Sequence, residues 1–248
     1  MLYVYNGTFE GFLSAVSELL RNGPAIEDSV CKEADILPLL PSLRVETEEG
    51  ITVRFGEYLK KHFGPNMPET VYRAFLSDFP GIEGSIIKYI QLARKMHRDP
   101  IDMLHVECVR RTHEAYKRTT GESHSYKGLL RFRSLSSDGK EILYAEFEPQ
   151  TNCIGLVGEH FASRLGNIPF LIADRRRSNC LVHIPGDPWT VVKADPHLFE
   201  RISSDTLYEE LWRRYFKSLA IPERLNPGLQ RSNMPKKYWK YLVEEPGK

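Results

Sequence analysis

The sequence predicts an α+β fold with a mainly antiparallel sheet, a helical N-terminal half and a C-terminal helix packed on the sheet. Apolar residues recur at helical spacing through most of residues 52–120, whereas alternating strand-like segments follow one another after Gly121. These segments lack the long intervening helices that a doubly wound parallel sheet requires. We therefore expect residues 1–248 to form a single compact domain, with a mostly helical section at about 52–120 and a sheet-rich section at about 121–195.

The first elements are a strand and a capped helix. LYVY at 2–5 is a short apolar strand, and Thr8 is placed to cap a helix whose apolar residues recur at helical spacing over 9–20. Gly23-Pro24 ends that helix. A further strand is expected near 43–47, and breaks in the helical section are predicted at 64–65, 80–81 and 99–100.

The sheet-rich section opens with a predicted hairpin. YKGLLRFRSL and EILYAEFEP flank the turn signal SSDGK. With Asp138-Gly139 as the turn, Arg131 faces Glu146, and Arg133 faces Tyr144 with Glu146 diagonal to it. The charged side chains then share one face, opposite the apolar face of Leu130, Phe132, Ala145 and Phe147. That charged face is either a solvated ion ladder or the floor of a cleft.

The rest of the section is predicted as a short helix in VGEHFASRL and three strands in PFLIAD, CLVHI and WTVVKA. RRRSN forms the tip between the first two strands and carries Arg175, Arg176 and Arg177. Arginine forks match phosphate geometry, so the tip is either a nucleic-acid contact or a solvated turn. SSDTLYEELWRRYFKSLA at 203–220 is the predicted C-terminal helix.

Composition narrows the class of protein. A formal net charge of +1 gives no global case for a polyanionic partner, but residues 1–50 carry nine acids against three bases, and 224–242 contain no acid. No apolar run is long enough for a membrane span, and the start lacks a signal-peptide pattern. Four scattered cysteines without paired spacing indicate reduced thiols, so we expect a cytoplasmic protein with no metal site and no cofactor.

One pair of residues suits acid–base chemistry. Glu122 and His124 lie two apart just before the hairpin, so an extended backbone would aim both side chains to one side. A carboxylate fixes the tautomer of a neighbouring imidazole and raises its basicity, so His124 is a candidate acid–base and Glu122 its orienting group. The alternative is that both are ordinary polar surface.

The tail GLQRSNMPKKYWKYL, at 228–242, interleaves cations with aromatic rings. Cations neutralise phosphates and rings stack on bases, so Arg231, Lys236, Lys237 and Tyr238 are predicted nucleic-acid contacts. Trp239 and Leu242 are predicted to anchor the tail to the body of the protein. A short helix packed on that body, with its lysines in water, remains the alternative.

Several blocks together resemble one bacterial family. They are YNGTFEGFLSAV (5–16), HSYKGLLRFR (124–133), LYAEFEP (143–149), HFASRLGNIPFLIADRRR (160–177) and LWRRYFKSLAIPERLNPGLQRSNMPKKYWKYL (211–242). The chain resembles the proteins called probable DNA metabolism proteins, which are encoded beside a radical S-adenosylmethionine protein and are sometimes fused to a uracil-DNA-glycosylase-like domain. The resemblance implies a role in DNA repair or modification with that radical enzyme as partner.

Two functions follow as expectations. The first is a nucleic-acid-binding accessory protein that acts on DNA with a separate radical enzyme, using the basic tip, the hairpin arginines and the tail. The second is an enzyme in its own right that acts on a nucleobase or phosphodiester through His124 and Glu122, with Arg131, Arg133 and Arg175 as an anion clamp. A scaffold whose tail docks on a partner protein is a third reading.

Overall fold

The computed structural model describes residues 2–21, 30–35, 42–137, 140–194 and 234–242. The predicted helix at 203–220 and the hairpin tip at 138–139 lie outside these ranges. The chain divides into two compact units, Met1–Gly121 and Glu122–Lys248. Their boundary falls inside one continuous helix, Glu107–Leu129. The single domain expected from the sequence stays a prediction.

The first unit contains a small parallel sheet. Its strands are β1 (Leu2–Tyr5), β2 (Val30–Lys32) and β3 (Ser42–Arg44), in the order β2-β1-β3, and a short 3₁₀ helix, Glu33–Asp35, follows β2. Helix α1 (Phe9–Arg21) follows β1, as predicted. Thr8 Oγ1 accepts a hydrogen bond from the Gly11 amide at 3.0 Å, so the predicted N-cap is confirmed.

The helical section is also confirmed. It contains α2 (Ile51–Phe63), α3 (Met67–Phe75), α4 (Ile82–Met96) and α5 (Glu107–Leu129), and the breaks fall near the predicted positions. The core joins these helices to the parallel sheet through aromatic rings. Phe12 of α1 lies 5.8 Å from Tyr5 and 5.1 Å from Phe75, centroid to centroid, and all three side chains are buried. Within the described ranges, no helix is both long and apolar enough to cross a bilayer.

The second unit is built on a five-stranded sheet. Its strands, in order, are β4 (Arg133–Ser137), β5 (Lys140–Phe147), β6 (Phe170–Asp174), β7 (Asn179–His183) and β8 (Thr190–Lys193). The α+β class is therefore confirmed, but the sheet is mixed. Helix α6 (Ile154–Leu165) connects β5 to β6, and this crossover makes the two strands parallel, whereas the other three pairs are antiparallel.

One face of this sheet packs under α6. Buried residues of β5, β6 and β7 meet Ile154, Val157 and Phe161 of the helix. Helix and sheet approach so closely that a Cβ at Gly158 would lie 2.0 Å from Leu181 Cδ1, so any larger residue there would require the buried Leu181 side chain to move. This packing fixes the ends of β5 and β6, and those ends carry the candidate site.

Candidate nucleic-acid interface

The carboxyl ends of the two parallel strands, β5 and β6, lie side by side. Phe147 pairs with Asp174 at the last position of the ladder, and the Arg175 amide donates to the Phe147 carbonyl at 3.0 Å. Two segments leave the sheet here. We call them the 148–153 loop, which leads into α6, and the 174–178 turn, which leads into β7.

Asp174 organises the 174–178 turn. Its carboxylate is fully buried, and Oδ1 accepts from the amides of Arg176 at 2.9 Å and Arg177 at 3.1 Å. Arg177 Nη1 donates to Oδ2 at 3.2 Å. Burial raises the pKa of Asp174, and the Arg177 guanidinium and these amides only partly offset that effect. The carboxylate of the turn is therefore buried, whereas Arg176 of the same turn is exposed.

Arg177 also holds the 148–153 loop. Its Nη1 donates to the Pro149 carbonyl at 3.0 Å, and its Nη2 donates to the Gln150 carbonyl at 2.8 Å. One planar guanidinium thus joins the turn to the loop, a use for which the arginine fork is well suited. The tip predicted from RRRSN is present between β6 and β7, but this member of it has a structural role.

Glu122 holds the same loop from the other side. Its Oε2 accepts from the Thr151 amide at 2.7 Å, and its Oε1 accepts from the Gln150 amide at 3.1 Å and from Lys237 Nζ at 3.2 Å. Burial by itself would raise the pKa of Glu122. The two amides and Lys237 outweigh burial, so the pKa lies below its ordinary value.

The predicted pairing of Glu122 with His124 is wrong in its geometry. Both residues lie in α5 rather than on an extended backbone, and residues two apart on a helix do not face each other. Glu122 is buried, whereas His124 is exposed. Because the Glu122 carboxylate is committed to the loop and to Lys237, it does not orient the imidazole.

The tail forms a 3₁₀ helix, Lys236–Tyr241, on the same loop. Tyr238 is buried and lies edge-on to Tyr126 of α5, with ring centroids 4.9 Å apart. Lys237 bonds Glu122, and Lys240 and Tyr241 both donate to Glu148 Oε1 of the loop, the tyrosine at 2.7 Å. Burial by itself would raise the pKa of Glu148, but these two bonds outweigh it and hold that pKa below its ordinary value.

The burial of two aromatic residues of the tail differs from the prediction. Tyr238 was predicted to bind nucleic acid, but its buried ring has no free face on which a base can stack. Trp239, predicted as an anchor, is only half-buried and lies 5.8 Å from Lys236 Nζ, centroid to nitrogen. A 3₁₀ helix has three residues per turn, so positions 236 and 239 share a face. Leu242 is buried, as predicted.

The hairpin register is confirmed. Arg133 pairs with Tyr144, and Arg133 Nη2 donates to the diagonal Glu146 Oε1 at 2.8 Å. The Arg133 guanidinium also lies over the Tyr144 ring, 4.9 Å from its centroid. Arg131 lies before the strand, and its Nη1 donates to the Gly128 carbonyl at the end of α5 at 3.0 Å. Both arginines therefore have intramolecular partners.

Arg176, Lys236, Lys237 and Lys240 are all exposed, but Lys237 and Lys240 pair with Glu122 and Glu148, whereas Arg176 and Lys236 have no carboxylate partner among the described residues. Arg175 is half-buried, and its guanidinium is one of the charges that lower the pKa of Glu148. Arg231 lies outside the described residues. The turn and the tail helix bring six bases to the loop against the three acids Glu122, Glu148 and Asp174, a formal charge of +3. The bases are Arg175, Arg176, Arg177, Lys236, Lys237 and Lys240.

Cys153 is the residue of this region that sequence reasoning passed over. It ends the 148–153 loop at the N-terminus of α6 and is fully buried. Burial raises the pKa of its thiol to about 12, and neighbouring Glu122 and Asp174 act in the same direction. The thiol is therefore protonated at neutral pH and belongs to the core, in agreement with the absence of an activating neighbour in the sequence.

Comparison with known proteins places this edge inside a recognised family. A family described as a domain of unknown function, DUF4130, matches residues 80–244. The matched segment includes α5, the five-stranded sheet and the tail helix, while the YNGTFEGFLSAV block lies outside it. Neither the search of curated proteins nor the search of solved structures found a match. Because the match covers more than half of the chain, this protein belongs to the DUF4130 family.

Proposed function

We propose that this protein is a nucleic-acid-binding accessory protein in DNA repair or modification and that it acts with a separate radical S-adenosylmethionine enzyme. One observation carries the binding part of the proposal. The 174–178 turn and the tail helix, about sixty residues apart in sequence, hold the same loop and leave Arg176 and Lys236 exposed beside it. The repair role and the radical partner rest on the resemblance of the sequence blocks to the probable DNA metabolism proteins.

The chemistry of the edge suits a phosphate backbone. A formal charge of +3 attracts a polyanion, and the exposed guanidinium and ammonium groups can displace its counterions. Lys237, Lys240 and Arg177 already bond carboxylates or carbonyls, so they fix the shape of the edge. The half-buried ring of Trp239 beside Lys236 adds an aromatic face of the kind that stacks on an unpaired base.

The test is the salt dependence of DNA binding. We expect the affinity for duplex and single-stranded oligonucleotides to fall steeply with salt. Arg176→Ala combined with Lys236→Ala should reduce the log–log slope by about 1.8 on duplex and about 1.4 on single strands. The readout is fluorescence anisotropy over a salt series, with circular dichroism to check folding.

The matched control replaces two exposed cations of the first unit. Lys60→Ala with Lys61→Ala, in the last turn of α2, removes the same formal charge from residues that do not belong to the proposed edge and should leave the slope unchanged. Equal losses in both double variants would mean that binding follows net charge alone. That result, or affinity that does not vary with salt, would overturn the proposed interface.

The partner is tested separately. Co-purification of the protein with the radical S-adenosylmethionine enzyme that the resemblance implies should yield a complex, and the complex should bind DNA more tightly than either protein alone. DNA binding without complex formation would retain the interface and remove the accessory role.

A further inference from the structure

The first unit contains a second basic site, a cavity of about 360 Å³ between α1, α2 and α4. Its volume lies within the range of small-molecule sites. Three arginines line it together with a single acid, Glu48. The other lining residues are Ser17, Leu20, Ile51, Phe55 and Tyr58, and the arginines are Arg21, Arg54 and Arg94.

Glu48 holds two of the arginines in place. Its Oε1 pairs with Arg54 Nη2, and its Oε2 lies 3.9 Å from Arg21 Nη2. The backbone of Glu48 is itself fixed, because its amide donates to Ser14 Oγ of α1 at 2.9 Å. One carboxylate therefore positions two guanidinium groups, and the five N–H donors of each exceed what Glu48 accepts.

Arg94 supplies the charge that Glu48 does not balance. It lies in the last turn of α4 and is exposed, and it has no carboxylate or hydrogen-bond partner among the described residues. The three arginines and one acid of the lining carry a formal charge of +2, and Glu18, outside the lining, pairs with Arg21 at 3.5 Å and reduces the charge to +1. Ser17 and Tyr58 add hydroxyl groups without hydrogen-bond partners in the described part of the chain.

The remaining lining of the cavity is largely apolar and aromatic. Leu20, Ile51 and Phe55 contribute aliphatic and aromatic surface, and the half-buried ring of Tyr58 lies 6.0 Å from that of Phe55, centroid to centroid. A ligand that fills the cavity must therefore combine an anion with a flat apolar group. A phosphate fits the arginines through charge-assisted hydrogen bonds, and a planar ring fits the aromatic wall.

We propose that this cavity binds a nucleoside monophosphate, with the phosphate held by Arg21, Arg54 and Arg94 and the base against Phe55 and Tyr58. The site lies in the first unit and is independent of the edge proposed to bind DNA. It gives the protein a small-molecule ligand in addition to a nucleic acid.

The experiment titrates the full chain with AMP, adenosine and inorganic phosphate by isothermal titration calorimetry. AMP should bind more tightly than inorganic phosphate or adenosine, because only AMP engages both walls. Arg94→Gln should weaken AMP binding by about tenfold or more, since it removes charge-assisted bonds to the phosphate. Arg94 is exposed, so the variant should fold normally.

Two controls locate the effect. Lys95→Gln changes the neighbouring exposed cation of α4, which does not line the cavity, and should leave AMP binding unchanged. Arg176→Ala with Lys236→Ala should also leave it unchanged, although that variant is expected to weaken DNA binding. Absence of AMP binding at millimolar concentration, or equal losses in Arg94→Gln and either control, would overturn the assignment without affecting the proposed DNA interface.

Discussion

The 174–178 turn and the tail helix are both basic and both hold the 148–153 loop, but they are stabilised differently. The turn lies between two strands of the sheet, and its carboxylate, Asp174, bonds amides of the turn itself. The tail helix is fixed by side chains that reach other segments. Tyr238 contacts Tyr126, Lys237 bonds Glu122, and Tyr241 bonds Glu148. The turn is therefore part of the sheet, whereas the tail is attached to it.

Both segments contain cations that bond other parts of the fold and cations that stay exposed to solvent. In the turn, Arg177 bonds the loop while the adjacent Arg176 stays exposed. In the tail, Lys237 bonds buried Glu122 while Lys236 stays exposed beside Trp239. Each segment thus commits part of its cations to contacts within the fold and leaves an adjacent cation exposed. A count of charges in the sequence cannot separate the two uses.

The largest effect is expected from the buried acid of the turn. Asp174→Ala should lower the free energy of unfolding by about 3–5 kcal/mol, because Arg177, whose side chain is 15% exposed, loses its carboxylate partner and two amides lose their acceptor. Urea denaturation followed by circular dichroism measures the loss.

Asp174→Asn is the matched control for that variant. The amide oxygen still accepts from the turn, so the loss should be clearly smaller than for alanine. If the free energies of unfolding of both variants lay within about 1 kcal/mol of the wild-type value, the turn would not depend on the Asp174 carboxylate.

We expect the tail helix to detach from α5 and the loop when the ring of Tyr238 is removed. Tyr238→Ala removes the buried ring and should lower stability by up to about 3 kcal/mol, less than Asp174→Ala, since detachment of the tail limits the loss. Limited proteolysis should then cleave the tail before the sheet. Tyr238→Phe keeps the edge-on contact with Tyr126 and should resist cleavage like wild type. Simultaneous cleavage of tail and sheet would make the tail as integral to the unit as the turn.

Much of the fold was predictable because it depends on local pattern. The Thr8 cap, the breaks between α2, α3 and α4, and the register of β4 and β5 all follow from spacing and turn residues. The parallel pair of β5 and β6 was missed. Antiparallel neighbours were expected because the predicted helix, VGEHFASRL, has nine residues, whereas α6 has twelve, which is long enough for a crossover between parallel strands.

The site was less predictable because it depends on distant contacts. The side chains of Glu122 and His124 point to the same side only if the backbone is extended. Helix α5 includes both residues, so their side chains point in different directions. The residues next to Glu122 in the sequence do not indicate its hydrogen-bond partners, Gln150, Thr151 and Lys237, which are all distant in sequence. The difference at Tyr238 and Trp239 has a similar cause, since the side that is buried depends on the surface against which the tail lies.

The smallest of these effects is expected at Glu122, which bonds both the 148–153 loop and the tail helix. Its pKa is lower in the folded protein than its ordinary value, so its contribution to stability is fully present above the ordinary carboxyl pKa and is lost as pH falls through the folded value. Glu122→Gln should therefore cost about 1–3 kcal/mol near neutral pH. The difference from wild type should narrow as the pH falls from neutral below the ordinary carboxyl pKa and through the lower folded value, because Glu122 itself then becomes protonated. Urea denaturation across this pH range measures the difference.

Glu57→Gln, at an exposed position of α2, is the control and should follow the wild-type curve throughout. A gap between Glu122→Gln and wild type that stayed constant with pH would mean that the loop and the tail are held by packing, and that the charge of Glu122 contributes nothing to either.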